Sequence, residues 1–105
     1  GILYVLECFN DTERFIKIGI TSLSIKKRYA STRDMPYSYS ILHEIVGSPE
    51  FIYDLETILH KKSKNYRYMP TIQFGGSSTE CFLSDLTYLQ KLNDYLDFKK
   101  EEGVS

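Results

Sequence analysis

Two apolar runs joined by four turn-forming residues constrain this chain more than any other feature. "ILYVLECF" (Ile2 to Phe9) is apolar on both faces and reads as a well-buried strand. "NDTE" (Asn10 to Glu13) is a turn, and "RFIKIGITS" (Arg14 to Ser22) returns as a second strand. A four-residue loop sets Phe9 opposite Arg14, Leu6 opposite Lys17 and Tyr4 opposite Gly19. The period of two then groups Tyr4, Lys17 and Gly19 on one face. Leu3, Val5, Ile16, Ile18 and Ile20 take the other, the expected core face. A lysine inside so apolar a strand needs a task. A glycine there weakens the strand unless something must come close.

The remaining signals are local. Thr21 or Ser22 can cap a first helix running without a breaker to about Thr32, with Ile25, Arg28, Tyr29 and Thr32 on one stripe. "RDMPYSY" is a loop, and "SILHEIVG" (Ser40 to Gly47) a third strand. Ser48, Pro49 and Glu50 form a strong helix start. That second helix carries Phe51, Ile52, Leu55, Ile58 and Leu59 as its stripe, with Glu56 at the border and His60 one turn on, and ends near Lys64. "NYRYMPTIQFGGSST" is a long connection. "ECFL" (Glu80 to Leu83) is a short strand or extended segment, and Ser84 caps a last helix with Leu86, Leu89, Leu92 and Leu96 inward. The expectation is an α/β (α+β) domain over residues 1–100, with a small three-stranded, largely antiparallel sheet flanked by helices. Residues 101–105 read as a frayed tail.

The 105 residues suit one modest core. No apolar run approaches the roughly 20 residues that span a bilayer, and residues 1–9 show no basic leader, so neither membrane partner nor export signal is expected. Cys8, Cys81, His43 and His60 lack zinc-ligand spacing. The formal net charge of −1 gives no global attraction to nucleic acid. Any such binding needs local patches, and two are present: Lys26, Lys27 and Arg33, and then Lys61, Lys62, Lys64, Tyr66, Arg67 and Tyr68. Equally, such runs are the ordinary solvated faces of helices.

A tyrosine on strand one, Lys17-Ile18-Gly19 on strand two, Arg28 on the next helix and Glu56 on a later one resemble the GIY-YIG nuclease domain. The first motif stands as Ile2-Leu3-Tyr4 after Gly1. "KIGIT", the Glu56–His60 spacing and "ECF" look most like a branch common in phages and bacteria. The resemblance covers about residues 1–85. It departs where the family's second motif begins with tyrosine, here Lys17, and where some members carry a histidine one turn after the arginine, here Thr32.

The resemblance implies a metal-dependent DNA endonuclease that leaves 5′-phosphate and 3′-hydroxyl ends. Tyr4 would be the general base, its phenolate stabilised by Lys17, which could also contact the phosphate. Gly19 would let substrate approach, or permit close packing. Arg28 would grip the scissile phosphate, or form a structural ion pair. Glu56 would hold one Mg²⁺ or Mn²⁺, or pair with His60 at the surface. His60 would orient Glu56, touch phosphate, or pack; Glu80 reads as structural rather than a ligand. DNA is the expected partner, with a further DNA-binding domain, a protein partner or a homodimer supplying specificity. The expected setting is the cytoplasm of a bacterial or phage-infected cell. The alternative is a module that keeps the fold and binds nucleic acid without cutting it.

Overall fold

A computed structural model describes residues 1–104, and its sheet is built on the hairpin. Strands β1 (Ile2–Phe9) and β2 (Arg14–Thr21) pair antiparallel with Tyr4 opposite Gly19, Leu6 opposite Lys17 and Phe9 opposite Arg14. The turn is fixed by Asn10, whose Oδ1 accepts from the Thr12 and Glu13 amides at 2.9 Å each. Strand β3 (Ser38–Val46) pairs with the other edge of β1, with a register shift between Val5 and Leu6. The sheet has four strands rather than three, in the order β3-β1-β2-β4, because β4 (Cys81–Leu83) adds to β2 opposite Phe15, Ile16 and Lys17. All pairings are antiparallel, and the domain is α+β.

Both sheet faces are covered, which explains why β1 is apolar throughout. On one face Leu3, Val5, Ile16 and Ile18 pack with Ile52, Leu55 and Leu59 of α2 (Pro49–Lys62) and Leu92 and Leu96 of α3 (Leu86–Val104). Ile20, expected in that core, is partly exposed, as is Ile58 of α2. The Ser48 side chain caps α2 through the Phe51 amide, as its start signal implied. A 3-10 turn, Lys64–Tyr66, follows α2. The other face holds Tyr4, Leu6, Cys8, Phe15, Ile25, Tyr29, Met35, Tyr37 and Cys81. The two cysteines are free, and burial pushes each thiol up to about 12, far from the thiolate a metal would bind.

Two helices differ from the sequence reading. Helix α1 (Ile25–Arg28) is a single turn capped by Ser24, and does not reach Thr32. Ser31 ends it: its backbone oxygen accepts from the Met35 amide at 3.0 Å and its hydroxyl donates to Asp34 at 3.1 Å. That turn competes with helix continuation and buries Met35 and Tyr37 instead. Helix α3 is capped by Asp85, which accepts from the Tyr88 amide at 2.9 Å, not by Ser84. It continues to Val104, through most of the segment expected to fray; Ser105 lies outside the described residues. No helix among the described residues is long and apolar enough to cross a membrane.

The long connection before β4 is tied down by one carboxylate. Glu13 accepts from the hydroxyls of Tyr37 and Tyr68, at 2.6 and 2.5 Å, and from the Thr71 amide at 3.3 Å. Burial alone would raise its pKa, but these donors win and hold it below the usual carboxylate value. Because its pKa is lowered on folding, the contribution is present above the ordinary value of 4.5 and is lost as pH falls through the depressed one. Glu13→Gln should therefore loosen residues 67–80 first, seen as faster amide exchange and limited proteolysis there, with the β1–β2 hairpin unchanged.

Candidate active site

The aromatic face of the hairpin converges on Lys17. Its side chain is 1% exposed. Its Nζ donates to Glu80 Oε1 at 2.8 Å and to the Tyr4 hydroxyl at 3.4 Å. It also sits 5.6 to 5.9 Å from the ring centroids of Tyr4, Phe74 and Tyr29. Burial opposes the ammonium, but Tyr29 and Glu80 outweigh it, and its pKa is raised. So Lys17 is a held charge, not a mobile one. Glu80, placed at the end of the long connection, is a quarter exposed. Its backbone is fixed too: its oxygen accepts from the Ile18 amide at 2.9 Å, and its amide donates to Gly76 at 2.9 Å.

Gly19 is explained by this packing. A Cβ there would lie 2.5 Å from the Tyr4 hydroxyl oxygen and 2.6 Å from Glu80 Oε1. The space above Gly19 is thus already filled by the phenol and the carboxylate, the close packing that a glycine permits. Gly76, at φ +80°, allows Glu80 a similar approach on the other side, with its Oε2 2.6 Å from a would-be Cβ. Gly19→Ala should displace Tyr4 and Glu80 together and cost about 1–3 kcal/mol, as overpacking does. Thermal denaturation would measure it.

The Tyr4 hydroxyl bonds to that of Tyr29 at 2.5 Å, the two rings meeting edge-on. Lys17 reaches the Tyr4 hydroxyl at 3.4 Å, against 2.8 Å for its bond to Glu80. Burial, then Tyr29 and the negative charge of Glu80, raise the Tyr4 pKa well above its usual range; Arg28 acts the other way. The ammonium's charge is directed at Glu80 instead. Arg28 is half-buried, with its guanidinium 5.1 Å from the Tyr29 ring centroid and Nη2 3.6 Å from where a Cβ of Gly75 would be. It forms no ion pair among the described residues.

Glu56 is half-buried on α2. Burial raises its carboxyl pKa and so does the charge of Glu80, while His60 and Lys17 lower it. The four groups therefore share one electrostatic neighbourhood. His60 packs edge-on against Phe82, and its Nε2 donates to the Ile18 carbonyl at 3.0 Å, beside Gly19. It bolts α2 to β2 and tempers Glu56.

Tyr4, Lys17 and, beside Tyr29, Arg28 thus meet on the aromatic face of the sheet, while Glu56 and His60 come from α2, which covers the other face. The basic residues expected to track phosphate are not drawn into this cluster. Lys26, Lys27, Lys61, Lys64 and Arg67 are exposed, and Arg33 pairs loosely with Asp34 at 3.7 Å. Two residues outside the expected site join this cluster: Tyr29, directly after Arg28, bonds to Tyr4, and Glu80, expected to be structural, pairs with Lys17. Among the described residues no group of three or more His, Cys, Asp or Glu converges. Glu56 is the half-buried carboxylate whose pKa is raised, first by burial, and so is the group a hard divalent cation would suit. Such an ion needs only one or two carboxylates beside water and substrate phosphate.

The family model of the T5orf172 domain matches residues 1–97. No curated protein and no solved structure matches the chain.

Proposed function

Because the chain belongs to the T5orf172 domain family, which is nuclease-related, we propose that it is a metal-dependent DNA endonuclease of the GIY-YIG type. The observation that carries this reading is the meeting of Tyr4, Lys17 and Glu80 in one hydrogen-bonded cluster, with the Arg28 guanidinium beside Tyr29. Glu56 would hold one Mg²⁺ or Mn²⁺. When bound, that ion supplies positive charge that lowers the pKa of water and offsets charge on the phosphoryl oxygens.

The chain's own residues have distinct tasks in this reading. Arg28 binds the scissile phosphate through its planar donors and stabilises charge as the water oxygen–phosphorus bond forms and the bond to the 3′ oxygen breaks. Tyr4 receives the water's proton only as phenolate. Lys17 and Arg28 are the cations placed to favour that form, once the charge of Glu80 that opposes it is balanced. Lys17 keeps Glu80 in place, and His60 fixes α2, and so Glu56, against β2.

Supercoiled plasmid incubated with Mg²⁺ or Mn²⁺ tests the reading. Nicking by the parent that falls about 10²- to 10³-fold in Arg28→Ala, the range for losing one preorganised charge contact, is expected. The burial and raised pKa of Tyr4 favour the second reading, a nucleic-acid-binding module without chemistry. That reading prevails if no preparation nicks above a Glu56→Ala control, while Arg28→Ala still weakens DNA binding.

A further inference from the structure

A cleft of about 340 Å³ opens away from Lys17, where the end of α2 and the following 3-10 turn face α3. Its walls are aromatic: Tyr66 and Tyr88 stack at 4.4 Å with an interplanar angle of 16°, and Tyr95 completes the side. Leu59 and Leu92 supply the apolar floor. The buried polar atoms there are satisfied, since the Tyr88 hydroxyl donates to Ser63 Oγ at 2.6 Å. The rim carries two exposed cations, Lys62 and Lys91. Lys62 Nζ is held 4.8 Å from the Tyr95 ring centroid, and neither lysine has a carboxylate partner among the described residues. The Tyr66 hydroxyl likewise bonds to no protein atom among them.

Aromatic walls, an apolar floor, a free hydroxyl and two unpaired ammonium groups match a planar ring that carries an anionic group. The volume is at the small end of ligand pockets, roughly 300–1,000 Å³, and suits one nucleotide, not a duplex. With a net charge of −1, the chain needs local features of this kind to hold a polyanion. We propose that this cleft is a second nucleic-acid site that takes one unstacked base of a single strand against Tyr66 and Tyr95, with the adjoining phosphates on Lys62 and Lys91. Base stacking on aromatic side chains tolerates any sequence. The cleft would thus favour substrates with an unpaired strand, such as ends, gaps or branches. It rests on the nuclease reading only in the choice of nucleic acid as ligand.

The test is binding of a fluorescent, 5′-phosphorylated hexathymidylate in EDTA, where cleavage plays no part. The parent should bind, with NMR shifts at the Tyr66 and Tyr95 rings. Lys62→Glu/Lys91→Glu, two surface changes, should bind at least 10-fold more weakly with an unchanged melting temperature. A milder Lys62→Ala/Lys91→Ala pair should lower the slope of log affinity against log salt by about 1.4, two single-strand phosphate contacts. No binding by the parent, equal binding by both variants, or shifts confined to the Lys17–Glu80 face would overturn the proposal. Failure of the nuclease reading would appear separately, as no nicking by the parent with metal present.

Discussion

Glu56→Gln is expected to fold at least as stably as the parent while losing cleavage. The folded environment raises the Glu56 pKa, so its protonated form is favoured. The stabilisation tied to that form is complete below the ordinary value of 4.5 and is lost as pH rises through the raised one. At neutral pH the parent therefore carries an ionised carboxylate in a place that resists it. A neutral amide removes that conflict and with it the charge for a divalent ion. Melting temperature should hold or rise, and plasmid nicking should fall about 10²- to 10³-fold or more. Added Mn²⁺ should raise the melting temperature of the parent and not of Glu56→Gln, because only a ligand that binds the folded state stabilises it. A clear drop in stability would mean that Glu56 is a structural ion-pair partner.

Lys17→Met is expected to cost stability as well as activity. It removes one member of a pair whose lysine is fully buried, and leaves Glu80 beside the Tyr4 phenol without its cation. Breaking such pairs costs about 3–5 kcal/mol, and the partial exposure of Glu80 places this one near the lower end. For a domain of this size, about 3 kcal/mol lowers the melting temperature on the order of 10–20 °C. Glu80→Gln added to Lys17→Met should restore part of that loss, since the two residues contact each other and their effects are not additive. Restored stability without restored cleavage would separate the pair's packing role from its electrostatic one. Equal stability of Lys17→Met and the parent would contradict the assignment of Lys17 as Glu80's anchor.

What was legible in the sequence was local. The Tyr4–Gly19 register followed from loop length and period alone, and Ser48-Pro49-Glu50 marked the start of α2 in the structure too. What was hidden depends on distant contacts. Lys17 is satisfied by a residue 63 positions away, delivered by a connection that looks merely flexible in sequence. The same entry of β4 turned three strands into four. Helix α1 stops early because Ser31 and Asp34 offer its backbone another set of bonds, which brings Met35 and Tyr37 inside. At Gly19 the groups that come close are the protein's own, the Tyr4 hydroxyl and the Glu80 carboxylate, and both arrive from distant parts of the chain.

The proposed function rests on one divalent ion held by Glu56. Paramagnetic broadening of amide signals during a Mn²⁺ titration reads this directly. The expected result is broadening that begins at residues 17–19, 56–60 and 76–80 in the parent and vanishes from them in Glu56→Gln. Broadening centred elsewhere, or identical in both proteins, would contradict it.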